Sequence, residues 1–156
     1  MPKTTTNPFT QNIRNSYISL TSGSGFISSV SGLASLSPSS GVYPLFTAGA
    51  DGSILKGITV ATDEATIRNV AFYTSSDGGA SKFLLGSVQI PVTAGFAANI
   101  ANIDVLNNAY LVGLPIDQTS RQCLPLASGS SVWAGMVTTA VSINKGVHIQ
   151  AFGEDF

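Results

Sequence analysis

The chain carries very little charge. Only 10% of its 156 residues are Asp, Glu, Lys or Arg, against about a quarter in typical globular domains. It also has one cysteine, one histidine and one tryptophan. Each scarcity excludes a class of chemistry. A lone Cys123 forms no intramolecular disulfide, and no Cys/His spacing matches a zinc site. Hydrolytic triads need a base, and the only imidazole, His148 in "KGVHIQAFG", alternates with Val147 and Ile149 as a residue on the less buried face of a strand would. The basic residues Lys3, Arg14, Lys56, Arg68, Lys82, Arg121 and Lys145 are scattered. They form no patch that would displace counterions from phosphates, so no nucleic-acid partner is expected. No apolar run approaches the roughly 18 to 20 residues of a membrane helix. The N-terminus "MPKTTTNPFTQNIRNSY" has no apolar core of a secretory signal, and the expectation is cytoplasmic synthesis with no membrane partner.

What is present is apolar. The hydrophobic share is 44% and the net charge −1, unlike disordered chains, which combine low hydrophobicity with high net charge. So little net charge gives little colloidal repulsion, and a surface largely covered by neighbouring subunits is the sharper expectation. The texture changes near residue 42. Residues 4–41 carry one charge, Arg14, and Gly, Ser and Pro interrupt every candidate element. They read as an extended N-terminal arm over 1–41 with one or two short strands, lying on its own domain or a neighbour's. Phe9, Ile13, Tyr17 and Phe26 are its candidate subunit contacts. Residues 42–156 alternate short apolar runs with turn signals, the spacing of an all-β domain, a sandwich or barrel. The candidate strands are "GVYPLFT", "ILKGITVA", "TIRNVAFYT", "KFLLGSVQIP", "AANIANIDVL", "QCLPLA", "SVWAGMVTTAV" and "GVHIQAFG". "NIANIDVLNN" fits a short helix equally well. In "SVWAGMVTT" both alternations are apolar, whereas an antiparallel strand with one wet face alternates apolar and polar. Such strands need a cover on each side, from the arm or from another subunit.

No motif for catalysis stands out. "TSSDGGAS" lacks the Lys-Ser/Thr ending of a phosphate-binding loop. Asp-Gly between strand-like runs signals a hairpin. A two-residue turn places Phe72 opposite Phe83 and Val70 opposite Leu85, and a three-residue turn places Phe72 opposite Leu84. Asp51, Asp63, Glu64, Asp77, Asp104, Asp117, Glu154 and Asp155 fall almost all in turns or at the C-terminus, where carboxylates accept local backbone hydrogen bonds. Calcium between Asp51 and Asp63-Glu64 has no dense loop of oxygen ligands behind it. Cys123 reads as a buried thiol. No enzyme activity, cofactor or metal is expected.

From about residue 42 the order of "LFTAGADGSILKGITV", "LLGSVQIP", "IDVLNN", "GLPID", "LPLASGSSVWAG" and "AVSINKGVHIQAFGEDF" resembles small β-rich virion proteins of tailed bacteriophages. The resemblance implies an antiparallel β-sandwich of jelly-roll type and a capsid decoration or cement-like subunit. Its partners would be copies of itself and the major capsid protein or another virion protein, assembled in the host bacterial cytoplasm. It brings no catalytic residues. The alternative is a carbohydrate-binding sandwich, a tail receptor-binding or lectin-like module, with Trp133, Tyr110 or Tyr73 at an exposed groove.

Overall fold

The computed structural model describes residues 12–21, 26–27, 41–97, 100–107, 109–137 and 141–156. Among them every regular element is a strand: β1 (Asn12–Thr21), β2 (Phe26–Ile27), β3 (Val42–Thr47), β4 (Ser53–Thr62), β5 (Arg68–Ser75), β6 (Phe83–Ile90), β7 (Ile103–Asp104), β8 (Leu124–Leu126), β9 (Ser131–Val137) and β10 (Gly146–Asp155). They form two five-stranded sheets packed as a β-sandwich. The first runs β1-β10-β4-β7, with β8 also on β4; the second runs β2-β9-β5-β6, with β3 also on β9. All pairings are antiparallel except the two-residue β2–β9 pair.

Alternation explains the core. Val147, Ile149 and Ala151 of β10 point inward with Ile58 and Val60 of β4 opposite them, and meet Val70 and Phe72 of β5 and Val132, Ala134 and Met136 of β9. Successive strand residues point to opposite faces, so the adjacent buried pair Leu45 and Phe46 requires a break in the pleat. It has one: Pro44 faces Trp133 and Phe46 faces Val132, leaving Leu45 as a bulge.

The described part of the stretch read as an arm is in large part sandwich. All ten residues of β1 pair with β10, and Leu20 is buried in the core. The inward positions at its start are polar: Arg14 donates to Thr47 O at 3.0 Å, and Ser16 Oγ donates to Leu45 O. These bonds tie β1 to β3 of the facing sheet. The ambiguous "NIANIDVLNN" contains the two-residue β7 and turns, with no helix among its described residues. Both hairpin registers expected for β5–β6 give way to another. Thr74 faces Phe83, Tyr73 faces Leu84 and Phe72 faces Gly86, with Leu85 bulged. The connection, residues 76–82, is therefore longer than either expected turn, and its own side chains hold it together as described below.

Both faces of β9 are buried within the one chain. Beyond the main core, Ala71, Tyr73 and Val137 form a second buried cluster on the outer face of the second sheet, with Val42 and Trp133 packed on it. The two-sided apolar pattern is thus satisfied without a second subunit.

Candidate functional site

The glycine-rich loop between β5 and β6 is held by its own polar groups. Ser75 Oγ donates to Asp77 Oδ1 at 2.7 Å and accepts from Gly79 N at 2.8 Å. The Asp77 carboxylate accepts from Ser81 N at 2.9 and 3.0 Å. The backbone bond from Ser81, then the side-chain bonds from Ser75 and Ser81, lower the Asp77 carboxyl to about 2. Gly79 has φ +95° and lies against the Trp133 indole, where a Cβ would overlap the ring. Lys82 Nζ sits 4.7 Å from the same ring centroid, and Trp133 Nε1 donates to Ser131 Oγ at 2.8 Å. The loop is a scaffold bend that caps tryptophan. Trp133 is half-buried beneath it and Tyr73 is fully buried, its hydroxyl without a hydrogen-bond partner and raised in pKa by burial. Neither ring is an exposed sugar platform, which corrects that expectation; Tyr110, in the β7–β8 connection, is 37% exposed.

The carboxylates are dispersed over structural tasks. Glu64 is fully buried. Its Oε2 pairs with Arg68 at 2.9 Å and accepts from Ser142 Oγ at 2.9 Å, and Oε1 accepts from Ser142 N. Burial alone would raise this carboxyl, but the bonds from Ser142 and Arg68 outweigh it and hold it below the ordinary glutamate value. Next to it, Asp63 Oδ1 accepts from Gly146 N at 2.7 Å. Together they clamp the end of β4 to the β9–β10 connection. At the other end Asp155 pairs with Arg14 at 3.2 Å and Glu154 with Lys56 at 2.6 Å. Asp117 closes its own turn through Thr119 and Arg121. Asp51 and Asp63-Glu64 flank opposite ends of the ten-residue β4, roughly 30 Å apart at strand rise, too far to share a calcium ion. Among the described residues no three His, Cys, Asp or Glu side chains converge as metal ligands. Cys123 is buried, and that burial raises its thiol, which keeps it protonated and unreactive.

The outer face of the first sheet is different. Pairing places Tyr17 beside Gln150 and Ser19 beside His148, then Gln150 beside Thr59 and His148 beside Ala61. These residues and Asn102 surround a shallow cleft of about 150 Å³. Ser19 Oγ and His148 Nδ1 lie 2.9 Å apart, and the Phe96 ring leans on the imidazole with centroids 5.8 Å apart. Gly95, at φ +78°, lets the loop before β7 approach Asn102 and Ala61 closely enough that any Cβ would collide with the amide. That approach brings Phe96, the next residue, to His148. A larger cleft of about 290 Å³ lies between Lys56, Asp104 and Arg121, but there Lys56 is already engaged by Glu154.

Of the expected contact residues, Ile13 is 83% and Tyr17 80% exposed, on the same outward face of β1. Phe26 falls in β2, and Phe9 lies outside the described residues. His148 is on the exposed face, as its alternation predicted. Phe96 was not singled out in the sequence, because "TAGFAAN" has no period that sets a ring beside His148, 52 residues away. No family model, curated protein or solved structure matches the chain.

Proposed function

We propose that this chain is a structural subunit of a tailed-bacteriophage virion, a decoration or cement-like protein that forms homo-oligomers on the head. The observation that carries the reading is β1. It is a ten-residue strand at the end of its sheet, and among the described residues its outer side carries no ladder partner. Such an edge is a template for pairing with another chain, and the exposed Ile13 beside it supplies an apolar contact. The strand orders β1-β10-β4-β7 and β3-β9-β5-β6, with the chain crossing repeatedly between sheets, support the jelly-roll assignment. That architecture manages strand edges by stacking two sheets, which suits a packed shell. The low charge and the resemblance from residue 42 onward point the same way.

Quantitative mass spectrometry of purified virions carrying this gene tests the proposal. Copies comparable to the major capsid protein make it a shell-wide decoration subunit. A handful of copies moves it to a vertex, neck or tail. Absence from the particle overturns the structural role.

A further inference from the structure

We infer that the cleft on the outer face of the first sheet is a binding site for a single neutral sugar ring. The inference goes beyond the structural role and does not depend on it, because the site is complete within one chain.

Three features of the cleft select the ligand. The first is aromatic exposure. Tyr17 lines the cleft at 80% exposure, and Phe96, 59% exposed, packs against His148, which also lines it. Exposing two large rings this fully leaves apolar surface unpaid by burial; one lines the depression and the other packs on its histidine. An aromatic face is electron-rich and suits the C–H face of a pyranose. The second feature is the polar lining. Ser19, Thr59, Asn102, His148 and Gln150 offer hydroxyl, amide and imidazole groups, each able to donate and accept, as sugar hydroxyls require. The third is charge. Among the described residues no Lys or Arg lines the cleft; Asp104 sits opposite Thr59, and in the adjoining cleft that shares His148 the one cation, Lys145, is paired with Asp63 at 3.9 Å. A carboxylate at the edge repels anions but accepts hydroxyl protons, so phosphates and acidic sugars are disfavoured. At about 150 Å³ the cleft is smaller than the ~300 Å³ lower end of drug-sized pockets, so it takes one ring and binds weakly.

This assigns Tyr17 to the ligand and leaves Ile13, four residues along the same face, to subunit contact. The test is amide NMR of the full chain titrated separately with glucose, galactose, mannose and N-acetylglucosamine to tens of millimolar, the range of weak single-ring binding. At least one of them should shift the amides of Thr59, Ala61, Asn102 and Gln150 in fast exchange. Tyr17→Ala and Phe96→Ala should each weaken that binding roughly tenfold, whereas Ile13→Ser should leave it unchanged. Both rings are exposed, so the variants should keep the wild-type amide spectrum elsewhere. No response to any of the four sugars overturns the inference, as does a response that survives both ring substitutions. Larger shifts from inorganic phosphate than from every sugar would identify an anion site and overturn it equally. None of these results bears on copy number in the virion, so the two readings fail separately.

Discussion

At the residue scale, the most consequential side chain is Glu64. A buried carboxylate is costly unless its oxygens are matched, and both are, by Arg68 and by the backbone and hydroxyl of Ser142. Glu64→Gln keeps the shape but removes the charge that Arg68, 11% exposed at its side chain, was placed to meet. The variant should lose about 2–4 kcal/mol at pH 7, read by urea unfolding. The pH dependence has a definite sign. The folded carboxyl is held below the ordinary glutamate value, so its contribution is present above that ordinary value and is lost as pH falls through the folded pKa. Wild type and Glu64→Gln should therefore converge in stability as pH falls below the ordinary glutamate range. A gap that stays constant as pH falls would mean that folding does not shift the Glu64 carboxyl. The sequence placed Glu64 in a turn and stopped there, since Ser142 is 78 residues away and no local pattern announces the pairing.

At the element scale, β1 is the strand whose role changed most between sequence and structure. The runs from residue 42 onward read as strands because their apolar stretches are bounded by Gly, Pro and Asp turns, and β3, β4, β5, β6, β8, β9 and β10 lie where those runs are. Asn12–Thr21 gave a weaker signal for a physical reason. Its inward side reads Arg14, Ser16, Ile18, Leu20, and the two polar members sit at the sandwich mouth with Thr47 O and Leu45 O as acceptors. Its outward side carries Ile13 and Tyr17, so neither alternation is clean. The β5–β6 register was hidden similarly, since the Asp77 network and the Gly79–Trp133 contact stretch the turn beyond two or three residues. The place of β1 in the core is testable through Leu20, 1% exposed. Leu20→Ala should cost about 2–5 kcal/mol, the range for a core leucine. A change within about 0.5 kcal/mol would make β1 a peripheral arm, detachable without loss of the sandwich. The same argument governs truncation: removing residues 1–41 takes away a core strand, so point substitution at Ile13 is the cleaner probe of assembly.

At the scale of the whole molecule, the question is what force joins copies. The two-sided apolar strands looked like a demand for a neighbour, but Ala71, Tyr73 and Val137 are already buried by their own chain. The unmet surface lies elsewhere, in the edge of β1 that has no ladder partner among the described residues and in exposed apolar residues such as Ile13 and Ile143. With a net charge of −1, and with Arg14 and Lys56 committed to Asp155 and Glu154 within the chain, there is little ionic material for an interface. Association through backbone pairing and apolar contact should therefore be insensitive to sodium chloride, which screens charges to about 3 Å at 1 M, and should strengthen in ammonium sulfate, which favours burial. Sedimentation velocity of the purified chain across both salts checks this, with Ile13→Ser shifting the equilibrium toward monomer at every salt. Dissociation as sodium chloride rises would place the interface on charged groups instead, and the cleft beside Lys56, Asp104 and Arg121 would replace the β1 edge as the surface to mutate.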